Sequence, residues 1–534
     1  MPRLLRPGRN CWRLAKAGRF ALLVDGSSYY RALAECLAQA RRTVVIVGWD
    51  LDSRVRLGPG AGRQRLIPPL RDFLSTIASA NPHLDIHILT WDFPILFANV
   101  RDPKLVLGQD PFEHPRVQLK FDSTHPPGAS HHQKIVVIDD NLAFAGGMDI
   151  AGGRWDSSEH RADDVRRSGK HGPYPPSHDV QAMVDGECAR SLGEIARDRW
   201  RRSTGSEIPG SSQKRDIWPE QVIPDFVDVD VGISRTDAAQ DSNGECLEIE
   251  RLHLDLIEAA RERIYIENQY LTSQTIATAL CRRLEAASGP EVLIVLPLKN
   301  SGWLEEHTIE ALRFQSIRRL RAADRFKRLR ICYPVVPDLD GASVGVHSKI
   351  LVADDRLFRV GSSNLTNRSM RLDSECDLTI EALTPAHRLG ISRLRNRLLA
   401  EHLGMSPEAV DAGLSARNAS VVQLVDSRKR QARCLRELPS ETQSPELLRE
   451  SELVDPPRPL TTRVVIEALA SSVANQAVRR RLPLLLAGAG IAVAAVIALR
   501  PAITAMSRRP PQSPVDGPTP RWSARRSAPS NPPL

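Results

Sequence analysis

The sequence predicts an α/β protein in which two similar α-β-α lobes form one bilobal unit. Before residue 404, helical periods alternate with strand-like runs, and the order helix, strand, helix, strand, strand occurs twice. Several of these strands are apolar throughout, which is typical of a largely parallel sheet covered on both faces. A repeat of this length indicates a duplicated domain, and we expect a shared site where the two copies meet.

The elements of the two copies correspond in order. A helical stretch, Ala32–Ala40, precedes the strand Thr43–Val47 in the first copy, and Leu247–Ala260 precedes Ile264–Ile266 in the second. Two further strands follow in each copy, at 84–89 and 116–121 in the first and at 291–296 and 328–333 in the second. Each copy therefore contains the elements of one lobe.

The composition is that of a globular protein. The 534 residues favour about two to four domains, and 41% of them are apolar and 26% charged. Lys and Arg (73) outnumber Asp and Glu (64), which gives a net charge of +9. This excess favours acidic partners such as phospholipid headgroups, nucleic acid or phosphate esters, although a solvated basic surface explains it equally well.

The cysteines and the N-terminus indicate a reducing compartment. The eight cysteines lie too far apart for a zinc ribbon or a thioredoxin-type pair, so we expect reduced, buried thiols. The N-terminal residues are basic, and the apolar run Phe20–Val24 is too short for a secretory signal. The two lobes are therefore expected to be cytoplasmic.

A membrane anchor is predicted near the C-terminus. The 18 residues 482–499 carry no charge and are flanked by arginines on both sides, so their orientation stays open. As a helix they span about 27 Å, the short limit for a single transmembrane pass; a buried Ala/Gly-rich helix is the alternative. The predicted organisation is a basic N-terminal arm (1–19), a first lobe (20–203), an inter-lobe linker (204–244), a second lobe (245–403), a linker with some helix (404–480), the transmembrane helix (482–499) and a disordered tail (507–534).

One polar motif occurs in both copies with identical spacing. It has a histidine, a lysine two residues later, an aspartate five residues after that, and a glycine seven residues after the aspartate. The two copies are His132, Lys134, Asp139 and Gly146, and His347, Lys349, Asp354 and Gly361. A single His-x-Lys is weak and is common in surface turns, but two copies in a duplicated frame indicate a functional site.

The motif has the chemistry of a phosphodiester site. Residues i and i+2 of a strand point to the same face, so His132 and Lys134 project together, as do His347 and Lys349. Two lysines can stabilise the phosphoryl oxygens as charge shifts in the transition state. One neutral histidine can attack phosphorus while the other, protonated, donates a proton to the leaving alkoxide. The residues alone do not determine which histidine has which role.

Further residues are predicted to complete the site. Side-chain donors and close-approaching backbone after each motif are expected to bind the phosphate, namely Ser362, Ser363, Asn364, Gly147 and Asp149. A carboxylate on the far nitrogen would fix the tautomer of each histidine. We expect Asp179 to orient His132 and Glu375 to orient His347; ordinary strand-end charges are the alternative.

These motifs resemble the phospholipase D superfamily, whose signature is a duplicated His-x-Lys-x4-Asp. More narrowly, the chain resembles the eukaryotic-type phospholipases, in a chain with a membrane anchor as in bacterial relatives. The resemblance covers residues 20–400 and rests also on Ile264–Tyr270, Gly153–Asp156 with His160, Tyr174–Asp179, and Asn367–Met370.

The resemblance implies a covalent phosphohistidine. It makes His132 the nucleophile and His347 the acid, with water or an alcohol resolving the intermediate. It requires no metal or other cofactor. Within the repeated motifs it assigns Asp139 and Asp354 a supporting structural role rather than contact with the substrate.

Three functions follow from this site chemistry. The leading hypothesis is a membrane-associated phospholipase D that converts glycerophospholipids to phosphatidate, with possible transphosphatidylation. The alternative is a cardiolipin-synthase-like phosphatidyltransferase with a lipid alcohol as acceptor. A nucleic-acid phosphodiesterase is disfavoured, and no nucleic acid is expected as a partner, because a membrane anchor is predicted and no stripe of stacking aromatics is present. The sequence leaves the oligomeric state open.

Overall fold

The computed structural model describes residues 3–58, 67–92, 110–126, 128–169, 172–211, 213–237, 245–299, 303–339, 343–416, 420–439 and 455–459, with the backbone alone for 303–308. All of these belong to one compact unit, Met1–Ala468. The strands are β1 (Arg13–Val24), β2 (Thr43–Gly48), β3 (Asp85–Trp91), β4 (Val117–Asp122), β5 (Ile135–Ile138), β6 (Leu142–Gly146), β7 (Ser168–Gly169), β8 (Gly172–Pro173), β9 (Ser177–His178), β10 (Val180–Asp185), β11 (Phe226–Asp237), β12 (Cys246–Leu247), β13 (Arg263–Glu267), β14 (Glu291–Val295), β15 (Leu329–Val335), β16 (Gly345–Val346), β17 (Ile350–Ala353), β18 (Leu357–Gly361), β19 (Glu375–Glu381) and β20 (Cys434–Glu437). The helices are α1 (Asp25–Ala38), α2 (Leu70–Ala80), α3 (Gly186–Thr204), α4 (Glu248–Ala259), α5 (Gln274–Glu285), α6 (Trp303–Ala323), α7 (Asn367–Arg371), α8 (Pro385–Leu403), α9 (Pro407–Ser415) and α10 (Val421–Arg428).

One continuous mixed sheet runs through both copies of the repeat, which confirms the α/β class. Its strand order is β20-β15-β14-β13-β17-β18-β19-β11-β1-β10-β6-β5-β2-β3-β4, and β12 pairs with β11. The antiparallel pair β1 and β11 forms the joint, with Phe20 opposite Phe226. Outward from this joint, each half has the same sequence of strand roles, so the predicted repeat appears as two matching halves of one sheet.

The prediction of a largely parallel sheet is wrong. In the main sheet, parallel pairing of the described strands is confined to β2-β3-β4 and β13-β14-β15. Hairpins reverse the chain after β5 and after β17, where Asp139 and Asp354 adopt left-handed φ values of +52° and +54°. Because helices cover both faces, antiparallel strands here are as apolar as parallel ones, and composition does not reveal their direction.

Two predicted boundaries at the joint are also wrong. Residues 13–19 of the predicted arm are part of β1, and β11 lies inside the predicted 204–244 linker. In this part of β1 the residues alternate, since Ala15 and Ala17 are fully buried while Lys16 between them is exposed. The charges of the strand's exposed face were mistaken for those of a free arm.

The chain after the second lobe continues the fold. Residues 404–480 were predicted as a linker with some helix, but α9 and α10 pack in this region and β20 pairs with β15 at the edge of the sheet. The predicted transmembrane helix (482–499) and disordered tail (507–534) lie outside the described residues. None of the described helices is both long and apolar enough to cross a membrane.

The hydrophobic core joins the two halves on one face of the sheet. There a single cluster includes residues of α3, α8 and α10 together with strands from both halves. On the other face the halves have separate clusters, one around α1 and α2 and one around α4, α5 and α6. The layers are therefore helices, sheet and helices, with one shared core and two separate ones.

Candidate active site

The two motifs meet across the joint between the halves. Each histidine precedes a central strand, β5 or β17, at the same edge of the sheet. The backbone N–H of His132 donates to Ser374 O at 2.9 Å, and that of His347 donates to His178 O at 2.8 Å. Each motif is therefore hydrogen-bonded to the opposite half, and the two histidines are close enough for a charge on His132 to lower the pKa of His347.

The carboxylates that orient the histidines are exchanged between the halves. His132 Nδ1 lies 3.0 Å from both carboxylate oxygens of Glu375, and His347 Nδ1 lies 2.6 Å from Asp179 Oδ2. The predicted pairs, Asp179 with His132 and Glu375 with His347, are wrong. A carboxylate at Nδ1 holds a proton there and leaves Nε2 for chemistry. Among the described residues, no hydrogen bond occupies either Nε2.

The exchange follows from where the carboxylates lie on their strands. Asp179 immediately precedes β10 and Glu375 begins β19, and these strands pair with β6 and β18 of their own halves. The side chains of Asp179 and Glu375, however, extend across the joint to the other motif. Gly147 makes room for this crossing, because a Cβ there would lie 2.3 Å from Asp179 Oδ1.

Both lysines are buried beside their histidines. Lys134 Nζ donates to His132 O at 3.0 Å and lies 3.2 Å from Asp149 Oδ2. Lys349 Nζ lies 3.3 Å from His347 Nδ1 and donates to Gln269 Oε1 at 3.4 Å. The i, i+2 spacing has thus placed each ammonium on the same side as its histidine, as predicted.

Burial and positive neighbours lower the pKa of both histidines. For His132 the charges of Lys134 and Lys349 add to the effect of burial. For His347 the charges of Lys349 and Arg154 do the same. Burial also lowers the pKa of Lys349 to about 7. Charges from both halves act on each ring, which is consistent with a single shared site.

Four of the five predicted phosphate ligands are engaged elsewhere, which corrects that prediction. Ser362 Oγ donates to Glu375 Oε2 at 2.5 Å, and Ser363 Oγ donates to Asp377 Oδ2 at 2.7 Å. The N–H of Gly147 donates to Val180 O, and Asp149 accepts from the N–H groups of Trp49 and Asp50 besides its contact with Lys134. These contacts give the four residues a structural role within the site.

Asn364, the fifth of these residues, remains a predicted phosphate ligand. Its side chain is 5% exposed, and within the described part of the chain its buried Oδ1 has no hydrogen-bond partner. It occupies the position in the second copy that Asp149 occupies in the first. A neutral amide there can donate to an anionic oxygen, which a carboxylate cannot.

The two motif aspartates lie at the far ends of their strands. Asp139 accepts hydrogen bonds from the N–H groups of Arg41, Arg42 and Thr43 at 2.7–2.8 Å. Asp354 does the same for the N–H groups of residues 261–263. Each carboxylate fixes the loop that enters the neighbouring strand, so they have the structural role that the resemblance implied.

A buried cluster of histidines and carboxylates lies behind His347. Ser348 donates to Glu267 Oε2 at 2.6 Å, and the same oxygen lies 2.9 Å from His178 Nε2. His178 Nδ1 in turn lies 2.7 Å from Glu401 Oε1. The cluster therefore ties the second motif to β9 of the first half and to α8.

Residues of this cluster have the donor types and spacing to hold a metal ion. Their ligand atoms lie within 4.8 Å of one another in two overlapping groups, Asp25, His160, His178 and Glu401, and His178, Glu267 and His402. They also pair with one another directly. Burial opposes a charge on His160, but Asp25, Asp156 and Glu401 outweigh it and raise its pKa to about 9.

Three residues of the site had no role assigned from the sequence. Arg154 acts electrostatically on His347, Lys349 and Asp179, and Gln269 contacts Lys349. Ser369 donates to Glu375 Oε1 at 2.7 Å. All three lie in segments that carried the family resemblance, so position within those motifs was the available sign.

Comparison with known proteins places this geometry in a family. A family model described as cardiolipin synthase, PLD-like domain matches residues 253–389, which contain the second motif. Phospholipase D A of Dictyostelium discoideum is 27% identical over 475 residues, covering 72% of this chain and 36% of that protein. Phospholipase D1 of Saccharomyces cerevisiae is 26% identical and covers 73% of this chain and 29% of that protein.

The family model and these relatives support a relationship of the chain to the phospholipase D superfamily. It spans about a third of the length of these two phospholipase D relatives. Among solved structures, phosphatidylserine synthase of Haemophilus influenzae Rd KW20 is similar in fold, with a TM-score of 0.51, 16% sequence identity, and coverage of 78% of this chain and 98% of that one. The two halves of the sheet are thus the two lobes of a phospholipase D-like fold.

Proposed function

We propose that this protein is a phospholipase D that hydrolyses the headgroup-side phosphodiester of glycerophospholipids to phosphatidate. The observation that carries the proposal is the pair of histidines drawn from opposite halves, each with a carboxylate on Nδ1 and a lysine beside it. The relatives named phospholipase D, which match about three quarters of the chain, support the same activity here.

In the proposed reaction the two histidines act in turn on one phosphorus. His132 Nε2 attacks phosphorus, and the bond from phosphorus to the headgroup oxygen breaks while His347 gives that oxygen a proton. His347 then takes a proton from water, whose oxygen attacks the phosphohistidine and frees phosphatidate. Lys134, Lys349 and Asn364 stabilise the non-bridging oxygens. An alcohol in place of water gives the transphosphatidylation product.

A phosphatidyltransferase of the cardiolipin-synthase type is the second candidate. It is favoured by the description of the family model that matches residues 253–389. The first half of the reaction is the same, and a lipid alcohol replaces water in the second. The acceptor therefore distinguishes the two functions, while the site residues do not.

We also propose that the enzyme works at a membrane. The uncharged stretch 482–499 would anchor it by a single pass, with the two lobes on the cytoplasmic side. An anchored enzyme keeps its site at the surface that contains its substrate.

The test is product analysis with defined lipids. The full-length protein is incubated with phosphatidylcholine or phosphatidylglycerol, with and without ethanol. We expect phosphatidate, and phosphatidylethanol when ethanol is present. His132→Asn should lower turnover by at least about 1,000-fold, because the nucleophile is lost. His83→Asn, a change at an exposed histidine, is the matched control and should leave it unchanged.

Two results would contradict the leading proposal. Conversion of phosphatidylglycerol to cardiolipin and glycerol, with little phosphatidate, would establish the transferase instead. Absence of any phosphatidyl product from every lipid would reject both.

A further inference from the structure

A short segment beyond the second lobe is buried against the support of the site. Asp455, in the described segment 455–459, is 1% exposed. Its Oδ2 accepts from Thr272 Oγ1 at 2.5 Å and from the N–H of Asn367 at 3.1 Å. Its Oδ1 accepts from the N–H of Arg368 at 2.9 Å. One carboxylate thus joins the loop after β13 to the first turn of α7.

Helix α7 leads from Asp455 to the ring of His132. Ser369, in its middle, donates from Oγ to Glu375 Oε1 at 2.7 Å. Both oxygens of Glu375 lie 3.0 Å from His132 Nδ1. The position of the α7 backbone therefore sets the position of the carboxylate that orients His132.

A second connection reaches the backbone before His132. Arg368 Nε donates to Asp373 Oδ2 at 2.7 Å, and Asp373 Oδ1 accepts from the N–H of Ser130 at 2.7 Å. Arg368 also donates to Gly128 O at 3.0 Å. Two neighbouring residues of α7 thus hold His132 through its ring and through the chain that precedes it.

We propose that Asp455 is a positioning residue for His132, acting through α7 and Glu375, and that the segment around it is a working part of the site. The proposal rests on the proposed function, in which His132 attacks phosphorus. The support is one-sided, because the equivalent stretch of the first half, residues 152–156, is described and forms no helix. Loss of Asp455 should therefore slow formation of the phosphoenzyme and spare its hydrolysis, because in that step the bond to phosphorus already holds the leaving His132 in place while His347 takes the proton from water.

The test compares Asp455→Ala with a matched control in the full-length protein. Glu291→Ala removes a carboxylate that also caps a short helix, since Glu291 accepts from Ser420 Oγ and from the N–H of Val421 at the start of α10. In rapid-quench experiments with phosphatidylcholine labelled in the phosphate, Asp455→Ala should slow phosphoenzyme formation about 10- to 100-fold, as small misplacements of reacting groups do. KM and the rate of phosphoenzyme hydrolysis should change less than twofold, and Glu291→Ala should leave all three unchanged.

A double-mutant cycle tests the route. If Asp455 acts through Glu375, the double variant Asp455→Ala/Glu375→Gln should be no slower than Glu375→Gln alone. If the double variant is slowed by the product of the two single-variant factors, the proposal is overturned. Equal losses of the rate of phosphoenzyme formation in Asp455→Ala and Glu291→Ala would also overturn it. If Asp455→Ala does not fold, Asp455→Asn keeps the size of the side chain and one acceptor oxygen, and it should slow phosphoenzyme formation by a smaller factor in the same cycle.

A measurement that needs no phospholipase activity separates this proposal from the proposed function. In protein labelled with 15N-histidine, the Nδ1 and Nε2 resonances of His132, assigned with His132→Asn, should move in Asp455→Ala and stay in place in Glu291→Ala. Unmoved resonances would overturn the positioning role even if the enzyme is a phospholipase D. Moved resonances in a protein without phosphatidyl products would support the role and reject the function.

Discussion

At the scale of single residues, the lysines of the two repeated motifs have different neighbours. Asp149 lies 3.2 Å from Lys134, whereas Asn364, its equivalent in the second copy, gives Lys349 no such carboxylate. Burial lowers the pKa of Lys349 to about 7. Lys134 therefore has a carboxylate beside it, whereas the pKa of Lys349 is close to neutral pH.

The pH dependence of the enzyme should report on Lys349. Below about pH 7 it is an ammonium that attracts the phosphodiester, and above that pH it becomes a neutral amine. We expect kcat/KM to fall on the alkaline side with an apparent pKa near 7. In Lys349→Arg, whose guanidinium stays charged, this alkaline fall should move upward by more than one pH unit. The measurement is a pH profile of kcat/KM for phosphatidylcholine.

The exposed Lys299 provides the control, since Lys299→Arg should leave the profile in place. An alkaline limb unmoved by Lys349→Arg would assign that ionisation to another group.

Individual site residues could be predicted where reactive side chains recur at the same positions of both copies of the repeat. His132, Lys134, His347 and Lys349 could be predicted because an i, i+2 pair occurs twice in the same frame. The role of Ser363 could not, since its hydroxyl is bound to Asp377, fourteen positions along the chain on β19. Which polar group satisfies which neighbour depends on tertiary contacts that spacing does not encode.

At the scale of elements, β10 and β19 determine which carboxylate serves which histidine. Each strand pairs within its own half, but the carboxylate at its start, Asp179 just before β10 or Glu375 in β19, contacts the other motif. The sequence indicated that Asp179 and Glu375 serve the histidines, but each was assigned to the histidine nearer in the chain, whereas the contacts are made with the more distant one. Strand direction was missed as well, since burial on both faces makes parallel and antiparallel strands equally apolar.

The exchanged pairing can be tested with a leaving group that needs no proton. With phosphatidyl-p-nitrophenol, Asp179→Asn should release p-nitrophenol in the first turnover at nearly the wild-type rate, because its partner His347 is then not needed as an acid. Glu375→Gln should still release p-nitrophenol at least about tenfold more slowly than the wild type, because its partner His132 still has to attack phosphorus. First-turnover release is measured by stopped flow.

Phosphatidylcholine is the control substrate, and both variants should be slow with it. The opposite pattern with p-nitrophenol, in which Glu375→Gln recovers and Asp179→Asn does not, would show that the histidines have the reverse roles.

At the scale of the whole molecule, the two halves share a sheet and a core, so we expect them to unfold together. Phe20 of β1 contacts the rings of Phe226 and Phe358 edge-on, with centroids 5.9 and 6.2 Å away. The duplication predicted two lobes, but β1 and β11, read as an arm and a linker, are the strands that unite them. Their charged, alternating residues resemble those of a surface segment, and only the pairing identifies them as central.

Removing Phe20 should therefore destabilise both halves together. Phe20→Ala is expected to lower the free energy of unfolding by about 3–5 kcal/mol through lost burial and the cavity left behind. Urea unfolding followed by tryptophan fluorescence and by far-UV circular dichroism should still give coincident transitions.

Val227→Ala, on β11 at a side chain that is 61% exposed, is the control and should change stability by less than about 0.5 kcal/mol. Separate transitions in Phe20→Ala would show that the halves are independent.

The crossing of Asp179 and Glu375 makes each half dependent on the other. A protein with this geometry and only one copy per chain would need two identical chains, in which the carboxylate of each contacts the histidine of the other. In a single polypeptide that contains both copies, this symmetry is not required. Substitutions such as Asp149 against Asn364 could then accumulate on one side alone, and a carboxylate as distant as Asp455 could come to serve only one of the two histidines.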